Sequence, residues 1–420
     1  MKLYKHQIDA LERTKNFNKV AYYHDMGLGK TFTGAEKLKQ LNENVNLVIC
    51  QKSKIKDWIE HFKTNYDFVI YDLTNKNEYN DFLFAKRYQR VIGVINYDLV
   101  FRRQELQKLN LIDFTMMLDE SSMIQNSTAK RSKYVLKLKA KNVILLSGTP
   151  VGGKYENLLT QIKLLGWNIS KRDYWNRYVN YEMVQYGFNG PLIPKVTGYK
   201  NIDELKNNLK FFGADFLKTD EVLDLPEQNF TIVNVNVSKE YKQFMKYKCL
   251  AVDDETQLIG DNPLKSLLYS RMLCSTFSRE KLKAFEDLIN STDDRLIVFY
   301  NFDKELQKLK SIISNRPISI VNGQVKDLNA YENENNSITF IQYQAGAMGL
   351  NLQKANKIIY YSLTLSSELY EQSKKRIHRI GQKQPCFYYI LQCNKSVEVK
   401  ILNTLQQRKD YTAKLFDKDF

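Results

Sequence analysis

Proline is scarce in this chain, 7 in 420 residues, and there is no low-complexity tract and no internal repeat. Linker-like and repeat architectures are therefore excluded. Cysteine is also rare: Cys50, Cys249, Cys274, Cys386 and Cys393 are odd in number and scattered, and no CxxC pair occurs. The 4 histidines do not gather near them, so neither a disulfide framework nor a structural zinc site is expected. No stretch approaches the ~18 uncharged apolar residues that a membrane span needs. The first residues, Met1 to Gln7, contain no apolar leader core. The expectation is a soluble cytoplasmic protein in a reducing compartment, without a membrane partner.

What is present in quantity is apolar and basic. Hydrophobic residues make up 43% and aromatics 12%, enough for packed globular structure. At 420 residues the chain is too long for one ordinary core and comfortable for two. A net charge of +16 points to a polyanionic partner, nucleic acid first, although a lysine-rich solvated surface would give the same number.

Short apolar runs alternate with amphipathic segments. In the first half the runs are Val20–Tyr23, Leu47–Cys50, Phe68–Tyr71, Val91–Ile95, Met116–Leu118 and Val143–Leu146. They are continuous, as strands covered on both faces should be, and helical patterns such as Thr31–Gln40 and Lys54–Phe62 lie between them. Leu296–Tyr300, Ile318–Val321, Ile338–Ile341, Lys357–Tyr361 and Phe387–Leu391 repeat the rhythm, with a helical pattern at Leu365–Ile380. The reading is an α/β chain with two parallel-sheet lobes in tandem, residues 1–225 and 226–420. Helical protrusions are expected at about 155–215, with Gly187, Gly190 and Pro191 in a loop, and at about 238–275. The chain crosses between lobes near Asp224-Leu225-Pro226-Glu227.

Val20–Tyr23 runs into Asp25-Met26-Gly27-Leu28-Gly29-Lys30-Thr31 and then a helix. Glycines at this spacing let successive N–H groups face phosphates at a helix N-terminus. Lys30 would reach the β- and γ-phosphates of ATP, and the Thr31 hydroxyl would ligate Mg²⁺. His24 stands where the general pattern has its first glycine, and a bare GKT also fits an ordinary strand–helix turn. About ninety residues on, Met116-Met117-Leu118 ends in Asp119-Glu120. Carboxylates at the carboxyl edge of a parallel sheet suit Mg²⁺ for Asp119 and polarisation of the attacking water for Glu120.

Taken together and in order, these segments resemble the Swi/Snf-like DNA translocases of helicase superfamily two. Asp25–Thr31 is similar to that family's DEMGLGKT loop, with His24-Asp25 in place of its acidic pair. Tyr4-Lys5-His6-Gln7 resembles the adenine-reading glutamine motif, and Leu47–Cys50 followed by Trp58 resembles LIVCP…W. Ile95-Asn96-Tyr97 is similar to TSYE, and Leu146-Ser147-Gly148-Thr149-Pro150 to LTGTP. Ala345 to Leu352 is close to AGGxGLNL, and Gln372 to Gln382 to QxxxRxHRxGQ. Asp119-Glu120-Ser121-Ser122 stands where the family has Asp-Glu-Ala-His. A serine keeps a hydroxyl but cannot become a cation, which puts in question how tightly DNA binding and hydrolysis are coupled.

The resemblance implies two RecA-like lobes, each supplying half of an ATP site. Lys30, Glu120, Arg376 and Arg379 become the catalytic candidates; the two arginines lie three apart, hence on one helix face. Gln7, Met26, Gly27, Leu28, Gly29, Lys30, Thr31, Asp119, Glu120, Gly349 and Gln372 are the nucleotide-binding candidates, with Thr31 and Asp119 at the metal. Lys52, Ser53, Asn96, Thr149, Asn301, Gln344 and Asn351 sit near strand ends, where backbone phosphates could be met. The expected activity is DNA-stimulated ATP hydrolysis driving translocation on duplex DNA. Two alternatives stay open: strand separation on DNA or RNA, and a nucleic-acid-binding scaffold with weak turnover. A monomer is expected, targeted by DNA structure or a protein partner, because Val397–Ile401 resembles the family's closing helix and leaves no room for a reader module. High lysine, asparagine, isoleucine and tyrosine usage suggests an AT-rich phage or bacterial genome and a role in replication or recombination.

Overall fold

Apolar runs without polar alternation are satisfied only where both sheet faces are covered, and here most of them form the middle of two sheets, the Phe68–Tyr71 run lying at an edge. The computed structural model describes residues 2–85, 89–151, 154–185, 190–251, 257–346 and 350–407. Two compact units result, Met1–Leu223 and Asp224–Phe420. Among the described residues no helix is long and apolar enough to cross a membrane.

In the first unit the strands are β1 (Lys19–His24), β2 (Val45–Cys50), β3 (Val69–Asp72), β4 (Val91–Asn96), β5 (Thr115–Asp119) and β6 (Asn142–Leu146), followed by β7 (Val179–Gln185), β8 (Leu192–Tyr199) and β9 (Ala214–Leu217). Seven of them make one sheet, in the order β3-β4-β2-β5-β6-β1-β9, with every pairing parallel. Helices α1 (Lys5–Arg13), α2 (Lys30–Leu41) and α3 (Ile55–Asn65) pack with them. Successive side chains enter opposite cores: Ala21, Tyr23, Leu47 and Met116 one, Val20, Tyr22, Val48 and Met117 the other. Each buried valine, leucine or methionine among them contributes ~1.5–3 kcal/mol before conformational entropy is set against it.

The second unit contains β10 (Gln228–Val235), β11 (Cys249–Ala251), β12 (Gln257–Ile259), β13 (Leu296–Tyr300), β14 (Ile318–Val321), β15 (Lys326–Asp327), β16 (Ile338–Gln342), β17 (Lys357–Tyr360) and β18 (Cys386–Cys393). Its sheet runs β10-β18-β17-β13-β16-β14-β15, parallel except for the short β14–β15 edge.

Three expectations need correction. Residues 155–215 carry the helices Leu159–Leu164, Lys171–Tyr178 and Ile202–Phe211, but they are not helical throughout, because β7 and β8 form an antiparallel hairpin with a Glu182–Lys195 ion pair at 2.6 Å across it. Its strands are largely exposed and so lack the apolar runs that announce a buried strand. Gly190 and Pro191 precede β8, while Gly187 lies outside the described residues. Residues 238–275 are two helices, Lys239–Tyr247 and Pro263–Ser275, with the β11–β12 pair between them. The helix in Leu365–Ile380 spans only Ser367–Lys374. Beyond it the Arg376 carbonyl accepts from Leu352 N–H at 3.1 Å, and His378 bonds the Pro226 carbonyl at 2.9 Å. The Arg376 carbonyl is thus committed to Leu352 instead of to a further helical turn.

Candidate functional site

The glycine-rich loop lies where β1 turns into α2. Gly27 and Gly29 take positive φ, +88° and +71°, so the chain can reverse where a side chain would be strained. Gly29 caps α2, and Lys30 and Thr31 open its first turn. Leu28 is buried, whereas Met26, Gly27, Lys30 and Thr31 are half-buried. Lys30 Nζ donates to the carbonyls of His24 (2.8 Å) and Asp25 (3.1 Å), which folds the ammonium back over its own loop.

From behind, α1 holds the loop in shape. Gln7, 1% exposed, donates Nε2 to the carbonyls of Leu28 (3.3 Å) and Gly29 (3.1 Å) and accepts from Tyr4 N–H (2.9 Å). A Cβ at Gly29 would stand 2.4 Å from that Nε2. Gln7, expected at adenine, here grips the loop backbone.

His24, in place of the loop's first glycine, is fully buried with its imidazole 2.7 Å from Asp215 Oδ2. Arg13 closes on the same carboxylate with Nε at 2.7 Å and a second guanidinium nitrogen at 2.9 Å. Burial lowers the His24 pKa, so the ring is neutral and donates Nε2–H. Although burial alone would raise Asp215, the hydrogen bonds from His24 and Arg13 hold it below the usual carboxylate range. One residue on, Asp25 accepts from the Thr219 N–H (3.1 Å) and hydroxyl (3.2 Å). The sequence reading missed Arg13, Asp215 and Thr219. A signal existed in the charge set inside the apolar stretch Ala214-Asp215-Phe216-Leu217, since a buried carboxylate implies a partner.

The carboxylates stand two strands away, at the end of β5, with β6 between and Ser147 just past its end. Asp119 Oδ2 accepts from the Trp58 indole N–H at 2.8 Å. Trp58, 2% exposed on α3, is thus a core residue with a polar task at this site. Glu120 takes a left-handed backbone, φ 57°, unusual for a side-chain-bearing residue. Its Oε1 accepts from Ser147 Oγ at 3.1 Å and Ser122 Oγ at 3.3 Å. Ser122 therefore keeps a hydrogen bond to the carboxylate site where the family has histidine.

Burial pushes both Asp119 and Glu120 above the usual carboxylate range, against the pull of the Trp58 hydrogen bond and nearby lysines at Asp119 and of Lys30 at Glu120. Gly148 packs close to the loop: a Cβ there would lie 2.8 Å from Met26 Cγ and 3.3 Å from Lys30 Nζ. Loop, carboxylates and the Ser147–Pro150 turn thus meet in one place. The hydroxyl of Thr31 and the Asp119 carboxylate are hard oxygen donors of the kind magnesium takes, and burial disfavours the ionised form of Asp119 and Glu120, a penalty that a bound dication would offset.

In the second unit Arg376 and Arg379 lie past the helix end rather than on one helical face. The segment holding them is pinned to residues 350–355. Arg379 reaches the Leu350 carbonyl at 3.5 Å, and Gln382 Nε2 donates to the carbonyls of Gln353 (3.2 Å) and Ala355 (2.9 Å). Gln372 is buried, with its amide donating to Glu368 at 3.3 Å. Gly349 lies outside the described residues.

The nucleic-acid candidates separate by exposure. Lys52, Ser53, Gln344 and Asn351 are exposed, and Thr149 is half-buried. Asn96 is 7% exposed. Asn301 donates its amide to Ser362 Oγ (2.8 Å) and the Leu363 carbonyl (3.1 Å), bracing the ends of neighbouring strands.

A parallel sheet with a glycine loop on one strand and paired acids two strands away is the layout of phosphate-loop nucleotide-binding proteins. Residues 11–282 match the model for the SNF2-related domain, and residues 280–381 match the helicase conserved C-terminal domain. The chain belongs to the SNF2-related family, Swi/Snf-like members of helicase superfamily two.

Relatives are distant but match along most of the chain. The uncharacterized ATP-dependent helicase YqhH of Bacillus subtilis (strain 168) is 22% identical over 96% of this chain and 77% of its own length. The homolog in Caenorhabditis elegans of SWI/SNF-related matrix-associated actin-dependent regulator of chromatin subfamily A-like protein 1 is 21% identical, over 96% of this chain and 60% of its own. The DNA annealing helicase and endonuclease ZRANB3 of Bos taurus is 24% identical, over 93% and 38%. Of several relatives the chain spans about half the length, 45%, 60% and 53% in three of them. The Sulfolobus solfataricus SWI2/SNF2 ATPase core in complex with dsDNA is 19% identical, with a TM-score of 0.45, covering 100% of this chain and 92% of that one.

Proposed function

We propose that this protein hydrolyses ATP and couples hydrolysis to translocation on duplex DNA. The observation that carries the reading is the convergence of Lys30, Asp119–Glu120 and the Ser147–Pro150 turn around one loop, within a chain of the SNF2-related family. Lys30 exchanges the His24 and Asp25 carbonyls for β- and γ-phosphate oxygens of ATP. Thr31 and Asp119 would hold a magnesium ion, which when bound would neutralise developing phosphate charge. Glu120, positioned by Ser122 and Ser147, polarises the attacking water. Arg376 and Arg379 stabilise the γ-phosphate charge, their guanidinium forks matching phosphate oxygens.

The +16 net charge and the exposed Lys52, Ser53, Gln344 and Asn351 favour a polyanionic track read through its phosphates. The test measures phosphate release with duplex DNA, single-stranded DNA or RNA at one stated salt concentration, alongside triplex and strand displacement. Duplex stimulation with triplex displacement is the expected result. Strand unwinding without triplex displacement contradicts the translocation reading, and equal rates with and without nucleic acid contradict the coupling.

A further inference from the structure

Helix Leu159–Leu164 carries a buried amide. Gln161 is fully buried among Leu158, Leu159 and Ile162, also buried. A buried amide must find acceptors for its N–H groups and donors for its oxygen. Its Oε1 accepts from Ser121 Oγ at 2.7 Å and from Tyr23 OH at 3.1 Å, and its Nε2 donates to the Pro150 carbonyl at 2.8 Å. Those partners come from three segments: the strand entering the phosphate loop, the turn after the paired acids, and the Ser147–Pro150 turn. Gln161 is therefore the side chain at which all three meet.

The Ser147–Pro150 turn reaches Glu120 by two routes. The direct one is the Ser147 Oγ bond to Glu120 Oε1, with the same Oγ accepting from Thr149 N–H at 3.2 Å. The other runs from Pro150 O through the Gln161 amide to Ser121, adjacent to Glu120. Glu120 sits in the left-handed region, so its position depends on the bonds around it, including Tyr97 OH to the Asp119 carbonyl at 2.9 Å. Thr149 lies beside Pro150, and among the described residues its buried Oγ1 has no hydrogen-bond partner. Thr149 itself is half-buried, so a phosphate oxygen that draws this inward-turned hydroxyl out would act on the turn at the residue before Pro150.

We propose that Gln161 is a positioning residue that carries occupancy of the Ser147–Pro150 turn by nucleic acid to Glu120. The inference rests on the DNA-stimulated ATPase reading above. In this chain the amide adds a second connection beside the Ser122 and Ser147 hydroxyls that bond Glu120 itself.

The experiment compares wild type with Gln161→Leu, Ser121→Ala and Tyr23→Phe, measuring kcat and KM for ATP with and without saturating duplex DNA, and thermal melting of each variant. Gln161→Leu and Ser121→Ala are expected to lower the stimulation factor about tenfold, the equilibrium factor that one or two net hydrogen bonds supply. KM for ATP should stay within about twofold, since neither residue touches nucleotide. Tyr23→Phe removes a Gln161 hydrogen bond outside this route and should keep wild-type stimulation. The double variant Ser121→Ala with Gln161→Leu should be no worse than either single one, as for two links of one chain. Wild-type stimulation in Ser121→Ala, a small change tolerated even if the leucine variant fails to fold, overturns the inference. So does an equal loss in Tyr23→Phe. No stimulation of the wild type would instead sink the functional reading beneath it.

Discussion

Asp215→Ala removes the acceptor at the centre of the Arg13–Asp215–His24 cluster, and its effect can be worked from the three partners. His24 is fully buried and loses the acceptor 2.7 Å from its Nε2. An unsatisfied buried donor costs ~1–3 kcal/mol. The Arg13 side chain is 48% exposed and regains water, so its ion pair adds less than ~1 kcal/mol. The total is about 3 kcal/mol, which lowers the melting temperature of a unit this size by roughly 6–12 °C. All 3 tryptophans (Trp58, Trp167 and Trp175) lie in the first unit, so tryptophan fluorescence reports its unfolding.

Asp215→Asn keeps an acceptor for His24 and should lose about half as much. Both folded-state pKa values are depressed, so both groups stabilise above their unfolded values and lose that contribution as pH falls. The His24 contribution falls away below pH ~6.5 and the Asp215 contribution below ~4. In Asp215→Ala the lower-pH component should vanish. A melting shift under about 2 °C, or an unchanged acid limb, refutes the reasoning.

Other perturbations follow from the same geometry. At Gly213 a Cβ would stand 2.3 Å from the Lys19 carbonyl oxygen with φ at +88°, so Gly213→Ala should cost about 2–4 kcal/mol by urea titration of tryptophan fluorescence. Gly198, where a Cβ meets only Asn180 Nδ2 at 3.7 Å, should accept alanine within about 1 kcal/mol. In the second unit Lys281 and Glu398 form a buried pair at 2.6 Å, with side chains 0% and 4% exposed. Lys281→Met strands the carboxylate and should cost about 3–5 kcal/mol by circular dichroism in urea, most of it recovered in the Lys281→Met, Glu398→Leu double variant. Arg379→Ala is expected to lower DNA-saturated kcat about a thousandfold, the scale of a lost arginine at the γ-phosphate, as read by phosphate release.

A central strand was legible because both its faces are buried: β13, buried along its whole length, has the bounds its apolar run marked. Strands β9 and β10 were not. The first is four residues long and carries Asp215, and the second lies at the sheet edge with only Val235 buried. A sheet edge does not demand the continuous apolar run from which a buried strand is read. The long helix expected over Leu365–Ile380 failed for another reason. Its periodicity is real, but a hydrogen bond to Leu352, distant in sequence, ends it early.

At the candidate site, loop and acid pair could be read from local spacing. The Trp58–Asp119 bond and the Gln161 hub could not, because their partners lie 61 and 40 residues apart and no local pattern encodes them. His24 looked like a defect in the loop pattern, yet its side chain is committed to Asp215 in the interior.

Steady-state ATP hydrolysis by wild type, Lys30→Ala and Glu120→Gln, each with and without duplex DNA, tests the central claim most directly. The wild type should hydrolyse ATP faster with duplex DNA, and each substitution should lower the stimulated rate by at least ~100-fold. Lys30→Ala should also weaken nucleotide binding, whereas Glu120→Gln should bind ATP and DNA without turning over. Phosphate release unchanged by both substitutions would show that the loop of β1 and α2 is not where ATP is hydrolysed.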